Sequence, residues 1–276
     1  MKKYLIVNAD DFGRSLEVNR GIVHVFKNGI VTSTTLLVNF DAFADAVDLI
    51  KRFHIPVGIH FNLTDGRPVC SPSLVPSLVD SQGQFFRKFV FYRRLLKRRF
   101  RAQDIERELR AQLNACLNAG IELDHYDGHH HVHALKGVAH ICRSLGQDIQ
   151  KLPLRRISWP HACQSALSKI QQSAIHLFED KRRTAAELRT TFWGFDFMDQ
   201  QNKHEAFNAM LDNLQPGIHE MMCHPGFESP EYIGYYNAQR EREIDVLCDT
   251  KIAQKIKELQ IELVSYRNLS HDHTLQ

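Results

Sequence analysis

Aspartates and histidines at four places in this sequence are the side chains best suited to chemistry. They are the adjacent pair Asp10 and Asp11, the single His60, a histidine-rich run at 125–133, and His224, which precedes a Pro-Gly dipeptide. Carboxylate oxygens and imidazole nitrogens are ligands that divalent metals such as Zn²⁺ accept together. A cluster of these groups would equip the protein for metal-assisted hydrolysis of an amide or ester.

The adjacent aspartates are open to two interpretations. Ionised Asp10 and Asp11 would repel each other in a pocket of low dielectric constant unless a cation lay beside them. One carboxylate could bind a metal ion while the other takes a proton from metal-bound water. The alternative is a pair of carboxylates at the N-terminus of the following helix, and the residues alone favour neither. His60, at the end of an apolar strand, is by itself more often a core or loop residue than a ligand.

The histidine-rich run is the strongest of the four signals. It holds five of the 16 histidines, and Asp127 within it could orient a neighbouring ring. His129 and His133 would share a face if the segment were helical. The alternative is a solvent-exposed histidine tract, but a strand precedes the run and a helix follows it. We therefore favour metal binding or catalysis.

His224 is followed by Pro225 and Gly226, which fix a sharp turn at the end of an apolar run. Such a turn would aim one imidazole at a pocket, and a positioned histidine is the usual general acid. The alternative is an ordinary turn residue. The neighbouring Cys223 is a weaker candidate, because strand alternation would point it away from the pocket if His224 faces inward.

Short apolar strands alternate with amphipathic helices along the chain, which is typical of a parallel sheet. Strands are predicted at 4–8, 33–38, 56–61, 123–127, 154–157, 191–195, 219–223 and 261–265. Helices are predicted at 102–119, 137–145 and 244–259, with Ser15 and Asp41 opening two earlier ones. Seven or eight such units without a linker predict one α/β barrel domain over residues 1–276. The loops after the strands build the active site of such barrels, so we expect the four polar groups to converge at one mouth.

Composition excludes several classes of protein. The 276 residues are 43% hydrophobic and 24% charged, which is ordinary for a globular protein. The formal net charge of +3 is too small to indicate nucleic-acid binding. The apolar run at the N-terminus is too short for a signal peptide, and the six cysteines are scattered, so we expect a cytoplasmic location and free thiols.

Five sequence motifs together resemble those of the YdjC-like carbohydrate deacetylases. They are Ile-Val-Asn-Ala-Asp-Asp-Phe-Gly at 6–13, Gly-Ile-Val-Thr-Ser-Thr-Thr at 29–35, Val-Gly-Ile-His-Phe at 57–61, Asp-Gly-His-His-His-Val-His at 127–133 and Cys-His-Pro-Gly at 223–226. The resemblance implies a distorted (β/α) barrel that removes N-acetyl groups from amino sugars. Gly128 stands where that family usually has serine. The loop at 64–83 looks like the branch tied to hopanoid biosynthesis, whereas the histidine run looks like the branch acting on chitooligosaccharides.

The resemblance also implies a role for each site residue. Asp11, His60 and His129 look like the metal ligands. Asp10 looks like the base that activates water, and His224 like the acid that protonates the leaving amine. We further assign Asp127 and His133 to substrate binding.

These roles call for one divalent metal ion and an N-acetylated amino sugar, either an oligosaccharide or a lipid-linked sugar. One carboxylate and two imidazoles suit Zn²⁺, while completion by water permits Mg²⁺, Mn²⁺ or Co²⁺. Two other functions remain open. A metal-dependent phosphoesterase would need two metal ions, and a non-catalytic carbohydrate- or lipid-binding barrel would need none of the catalytic roles. Homodimers are the commonest oligomers of soluble proteins, and this frequency alone allows a homodimer here.

Residues 87–101 hold eight basic side chains and no acidic one. Phe89, Tyr92, Leu96 and Phe100 recur between them at helical spacing. A basic amphipathic helix can lie on an anionic membrane. We favour the alternative, a solvated helix that packs its apolar stripe on the barrel.

Overall fold

Seven parallel strands form one sheet in the described part of the chain, which comprises residues 2–149, 152–157, 179–180, 190–228 and 236–271 of this computed structural model. The strands are β1 Lys3–Phe12, β2 Ser33–Leu36, β3 Val57–Phe61, β4 Tyr126–Gly128, β5 Thr190–Trp193, β6 Gly217–Cys223 and β7 Ile261–Leu263. Their order is β4-β3-β2-β1-β6-β5, with β7 beside the beginning of β1. The sheet is a half-barrel with helices, which confirms the predicted α/β class.

Ten α-helices are present among the described residues. They are α1 Leu16–Asn28, α2 Phe43–Phe53, α3 Lys88–Leu96, α4 Ala102–Asn118, α5 Ala139–Asp148, α6 Phe195–Asp199, α7 Lys203–Asn213, α8 Tyr236–Leu247, α9 Thr250–Glu258 and α10 Tyr266–His271. Short 3₁₀ helices occur at Pro72–Leu74 and His129–Ala134. No described helix combines the length and the apolar character needed to cross a lipid bilayer.

Alternation along the strands gives the sheet two different faces. On β1 the side chains of Leu5, Val7 and Ala9 join the main apolar core, which packs against the helices. We call this the outer face. Tyr4, Ile6, Asn8 and Asp10 alternate with them on the opposite, inner face. Register pairs Ile6 with Glu220, so β6 continues the same two faces.

Most predicted elements are confirmed with shifted ends, and three predictions are wrong. Ser15 caps α1 by accepting a hydrogen bond from the Val18 N–H. Asp41 does not open α2, because the residue at the cap position is Ala42, whose side chain makes no capping hydrogen bond. The helix predicted at 244–259 is two helices, since Asp249 caps a new one. The strand predicted at 154–157 is a single bridge between Leu154 and Tyr126.

The basic helix α3 and the residues after it pack on the protein through only part of the predicted stripe, Tyr92 and Phe100. Phe91 is buried and stacks on Phe100, with ring centroids 4.7 Å apart. Phe89 and Leu96 instead face solvent, so the prediction that they pack on the barrel is wrong. The helix is thus anchored by one side only.

Candidate active site

The carboxyl ends of four parallel strands bring the predicted site residues together. His60 Nε2, at the end of β3, lies 3.7 Å from Asp11 Oδ1 and 4.0 Å from Asp10 Oδ2, both on β1. His129 Nδ1, just after β4, lies 3.1 Å from the same Asp11 oxygen. His224 Nε2, just after β6, lies 4.0 Å from Asp10 Oδ2. The predicted convergence at one edge of the sheet is confirmed.

A β-bulge explains how two adjacent aspartates face one pocket. Successive residues of a strand point to opposite faces, so regular pleating would bury Asp11 among the helices. The register between β1 and β2 slips between Ala9 and Phe12, and Asp11 has φ 71°. A non-glycine residue in this left-handed region is strained, although aspartate tolerates it better than most. The bulge turns Asp11 toward the side that Asp10 occupies.

Asp127 fixes the orientation of the His60 ring. Its Oδ1 lies 2.5 Å from His60 Nδ1, which leaves Nε2 directed at the two aspartates. Burial alone would lower the pKa of His60, but the carboxylates of Asp127, Asp10 and Asp11 together raise that pKa above its usual value. A carboxylate behind a ligand histidine fixes the tautomer and the ring direction in metal sites.

Arg155 is the residue that sequence reasoning missed. It is fully buried, and its guanidinium donates hydrogen bonds to both oxygens of Asp10 at 2.7 Å and to Glu220 at 2.6 Å, and forms an ion pair with Asp127 at 2.6 Å. Burial raises the pKa of Asp10, but Arg155, His60 and His224 together more than compensate and hold that pKa well below its usual range. The one signal in the sequence was a pair of arginines, Arg155 and Arg156, inside the short strand predicted at 154–157.

Helix α8 supplies a second support that the sequence did not reveal. Arg240 donates to Asp11 Oδ2 at 2.5 Å, so the other Asp11 oxygen is the one facing the two histidines. Glu243 accepts a hydrogen bond from the backbone N–H of His224 at 2.5 Å and another from the Tyr236 hydroxyl at 2.6 Å. These contacts fix the turn after β6. Burial lowers the pKa of the His224 ring.

Within the histidine run, His129–Ala134 is a largely buried 3₁₀ segment, so the exposed-tract alternative is wrong, and the α-helix that would give His129 and His133 a shared face does not form. His130 and His131 have φ of 51° and 58°, which sends consecutive rings in different directions. His130 Nδ1 lies 2.9 Å from the Thr64 hydroxyl. His131 packs on two buried phenylalanine rings. His133 Nε2 lies 3.2 Å from the backbone oxygen of Arg155. Only His129 of this run reaches Asp11.

Asp127 and His133, which we assigned to substrate binding, are both fully buried. Asp127 has its oxygens beside His60 and Arg155, and His133 packs behind the Arg155 backbone. Their contacts with a substrate stay a prediction.

One group of donors in the described residues fits a divalent metal ion. The ligand atoms of Asp11, His60 and His129 lie within 4.8 Å of one another, and Asp11 Oδ1 accepts no hydrogen bond of good geometry. A buried carboxylate oxygen between two imidazole nitrogens is what a cation would satisfy. Asp10, His60 and Asp127 form a second such group. There, however, the Arg155 guanidinium already forms an ion pair with both carboxylates.

Comparison with known proteins finds similarity along nearly the whole chain. The model of the family described as YdjC-like protein matches residues 4–258. The carbohydrate deacetylase of Clostridium beijerinckii is 33% identical over 96% of this chain and 99% of its own length. The chitooligosaccharide deacetylase of Proteus mirabilis is 33% identical over 98% of this chain and 100% of its own. A crystal structure from Enterococcus faecalis, titled a putative cellobiose-phosphate cleavage protein, has a TM-score of 0.79 at 28% identity, covering 98% of this chain and 99% of that one.

Proposed function

Because the chain belongs to the YdjC-like family, we propose that it is a metal-dependent carbohydrate deacetylase that hydrolyses the N-acetyl group of an amino sugar. The observation that carries the proposal is the group of Asp11, His60 and His129 beside a separate buried carboxylate, Asp10. Relatives named carbohydrate deacetylase and chitooligosaccharide deacetylase support the substrate class.

Asp11, His60 and His129 would hold one divalent ion, Mg²⁺ or Zn²⁺. When bound, the ion supplies a Lewis acid for the acetyl carbonyl and lowers the pKa of water. Asp127 supports this ligand set from behind by holding Nδ1 of His60, which keeps Nε2 directed at the pocket. Arg240 does the same for Asp11 by occupying its other oxygen.

Asp10 takes the proton from the attacking water. The ion pair with Arg155 keeps Asp10 ionised at neutral pH, so it is ready to accept a proton rather than donate one. Its Oδ2 faces His224 Nε2 across 4.0 Å, a separation that a small side-chain movement closes. His224 protonates the departing nitrogen. Water thus loses one proton to Asp10, that proton passes from Asp10 Oδ2 to His224 Nε2, and His224 delivers it to the departing amine, so both residues return to their starting state and the products are acetate and the free amino sugar.

A phosphoesterase is the weaker candidate for this site. Phosphate-ester hydrolysis by Asp/His clusters commonly uses two metal ions about 3.5–4 Å apart. The second candidate group, around Asp10 and Asp127, has a guanidinium within 2.7 Å of each carboxylate. The Arg155 guanidinium, which stays charged in a protein, thus supplies the positive charge at the place where a second metal ion would lie.

The first experiment is acetate release from N-acetylglucosamine oligomers by the chelated protein, before and after each metal is added back. We expect metal to restore release, and Asp10→Asn to lower kcat by about 10²–10⁴-fold because the base is removed. Asp41→Asn, a change of the same type at an exposed aspartate, is the control and should leave kcat unchanged. Full release by Asp10→Asn, or a chromogenic phosphate ester as the better substrate, would overturn the proposal.

Two further variants separate metal binding from proton transfer. Asp11→Ala should lose both bound metal, measured by elemental analysis, and acetate release. His224→Ala should keep the metal but lower kcat by at least about 10²-fold, since a general acid contributes this much. Activity of Asp11→Ala without metal, or normal turnover of His224→Ala, would remove that residue from the mechanism. The expected cytoplasmic location stays a prediction for cell fractionation, and gel filtration tests the homodimer that base rates allow.

A further inference from the structure

The segment 87–101 presents a charged surface that the proposed chemistry does not use. Six of its eight basic side chains are exposed, and we call this patch the basic surface. Its exposed cations are Arg87, Arg93, Lys97, Arg98, Arg99 and Arg101. Within the described residues, none of these six forms an ion pair with a carboxylate. An uncompensated cluster of this kind attracts an anionic partner.

Apolar side chains stand among these cations. Phe89 is 85% exposed and Leu96 60% exposed, and Val90 lies beside them at 37%. The helix cannot roll to bury them, because Phe91 is buried on its other side and the Tyr92 hydroxyl donates to the backbone oxygen of His130 at 2.8 Å. A fixed, exposed aromatic side chain surrounded by cations marks an interaction surface.

We propose that the basic surface docks on a membrane surface of anionic phospholipid. Phe89, Val90 and Leu96 would enter the headgroup region while the arginines and lysines around them meet lipid phosphates, which is how interfacial amphipathic helices bind. A second copy of this chain fits less well, because a symmetric contact would set one cluster of cations against another. RNA would satisfy the cations but would leave the aliphatic side chains of Val90 and Leu96 against phosphate and water.

Docking would set the active site close to the lipid headgroups. Tyr92 joins α3 directly to His130, the neighbour of the proposed ligand His129, and His130 in turn meets Thr64 on the loop after β3. The helix that carries the basic surface therefore packs directly beside the edge of the sheet where the site lies. The docking proposal does not depend on the chemistry of that site.

Vesicle sedimentation tests the proposal with the full chain. We expect vesicles of phosphatidylcholine and phosphatidylglycerol to retain the protein, and vesicles of phosphatidylcholine alone to leave it in the supernatant. Arg93→Glu/Lys97→Glu should weaken partitioning into the anionic vesicles by at least about tenfold. Lys251→Glu/Lys257→Glu on α9 makes the same change in net charge at exposed positions elsewhere and should weaken it far less. The proposal would be overturned if both double variants lost partitioning to the same extent, or if neutral vesicles retained the native protein as well as anionic vesicles do.

A second pair of variants distinguishes lipid from another polyanion. Phe89→Ser/Leu96→Ser should reduce vesicle retention by several-fold, whereas Leu74→Ser/Leu117→Ser, which also removes exposed leucines, should not. Undiminished vesicle retention by the Phe89/Leu96 variant, together with binding of a labelled RNA duplex, would replace the membrane with a nucleic acid. Melting temperatures check that all variants fold. Acetate release from a soluble oligomer should be unchanged in all of them, so loss of docking and loss of chemistry are read separately.

Discussion

The two faces of the sheet are built from the same strands but from opposite chemistry. On the outer face, apolar side chains pack against helices. On the inner face, the carboxyl half of the sheet carries carboxylates, imidazoles and the buried Arg155. Three consecutive residues of β3 show the change: Gly58 and His60 face inward, and Ile59 between them belongs to the apolar core. One strand thus serves packing and chemistry at alternate positions.

The inner face tolerates buried charge because its polar groups are joined in one network. Arg155 bonds Glu220, and Glu220 accepts a hydrogen bond from the Tyr266 hydroxyl at 2.5 Å. The Tyr266 ring stacks on His125 with centroids 3.8 Å apart, and His125 Nδ1 lies 2.6 Å from Asp124. Buried polar groups are costly when unpaired and acceptable when paired. The outer face has no such requirement, since its contacts are non-directional.

Among the changes that test the difference between the two faces, removal of Arg155 is expected to lower the unfolding free energy most. Arg155→Met keeps much of the side-chain volume but leaves Asp10, Asp127 and Glu220 buried without their cation. Breaking a buried ion pair by removing one partner costs about 3–5 kcal/mol of unfolding free energy. Urea unfolding at pH 7 measures it. Leu109→Met, a volume-conserving change in the outer core, is the control and should cost less than about 1.5 kcal/mol.

The pH dependence of the same variant gives a second measurement. Burial already raises the pKa of Glu220 although Arg155 opposes it, and loss of Arg155 raises it further. The folded variant then binds more protons than the unfolded chain, so its unfolding free energy rises as the pH falls through the raised pKa. The difference in unfolding free energy between the variant and the native protein should therefore become smaller as the pH falls from 7 to 5. A difference that stays constant over this range would mean that the arginine does not act by stabilising the buried carboxylates.

The second prediction concerns Gly58, which faces inward between the outer-face residues Val57 and Ile59. A Cβ at position 58 would lie 2.5 Å from the His125 ring, which is itself held between Tyr266 and Asp124. Gly58→Ala should cost about 1–3 kcal/mol because the ring cannot move away freely. In a double-mutant cycle, His125→Ala should remove most of that cost. Additive effects would show that the close approach of this ring is not the cause.

Sequence patterns predicted the parts of the fold that depend on local chemistry. The alternation of strands and helices predicted the parallel sheet. The carboxyl ends of its strands were then expected to bring Asp10, His60 and His224 together, as they do. Arg155 and Arg240 were missed, because each lies far along the chain from the aspartate that it bonds and its sequence neighbours do not show that it is buried. The direction of Asp11 was open as well, since a left-handed bulge is decided by the register of β1 against β2.

The smallest effect on stability is expected at Ile59, the chain neighbour of His60 whose side chain lies on the outer face. This position tests the comparison of the two faces most directly. Ile59→Val removes one methylene from the outer core and should cost about 0.5–1.5 kcal/mol of unfolding free energy. The Cβ of Ile59 points toward the helices while His60 points at the aspartates, so the metal affinity and kcat should stay at their native values. Isothermal titration with metal and acetate release measure both. A loss of metal affinity comparable to that of His60→Gln would mean that the two faces are coupled through the strand backbone, and that packing on the outer face sets the geometry of the site.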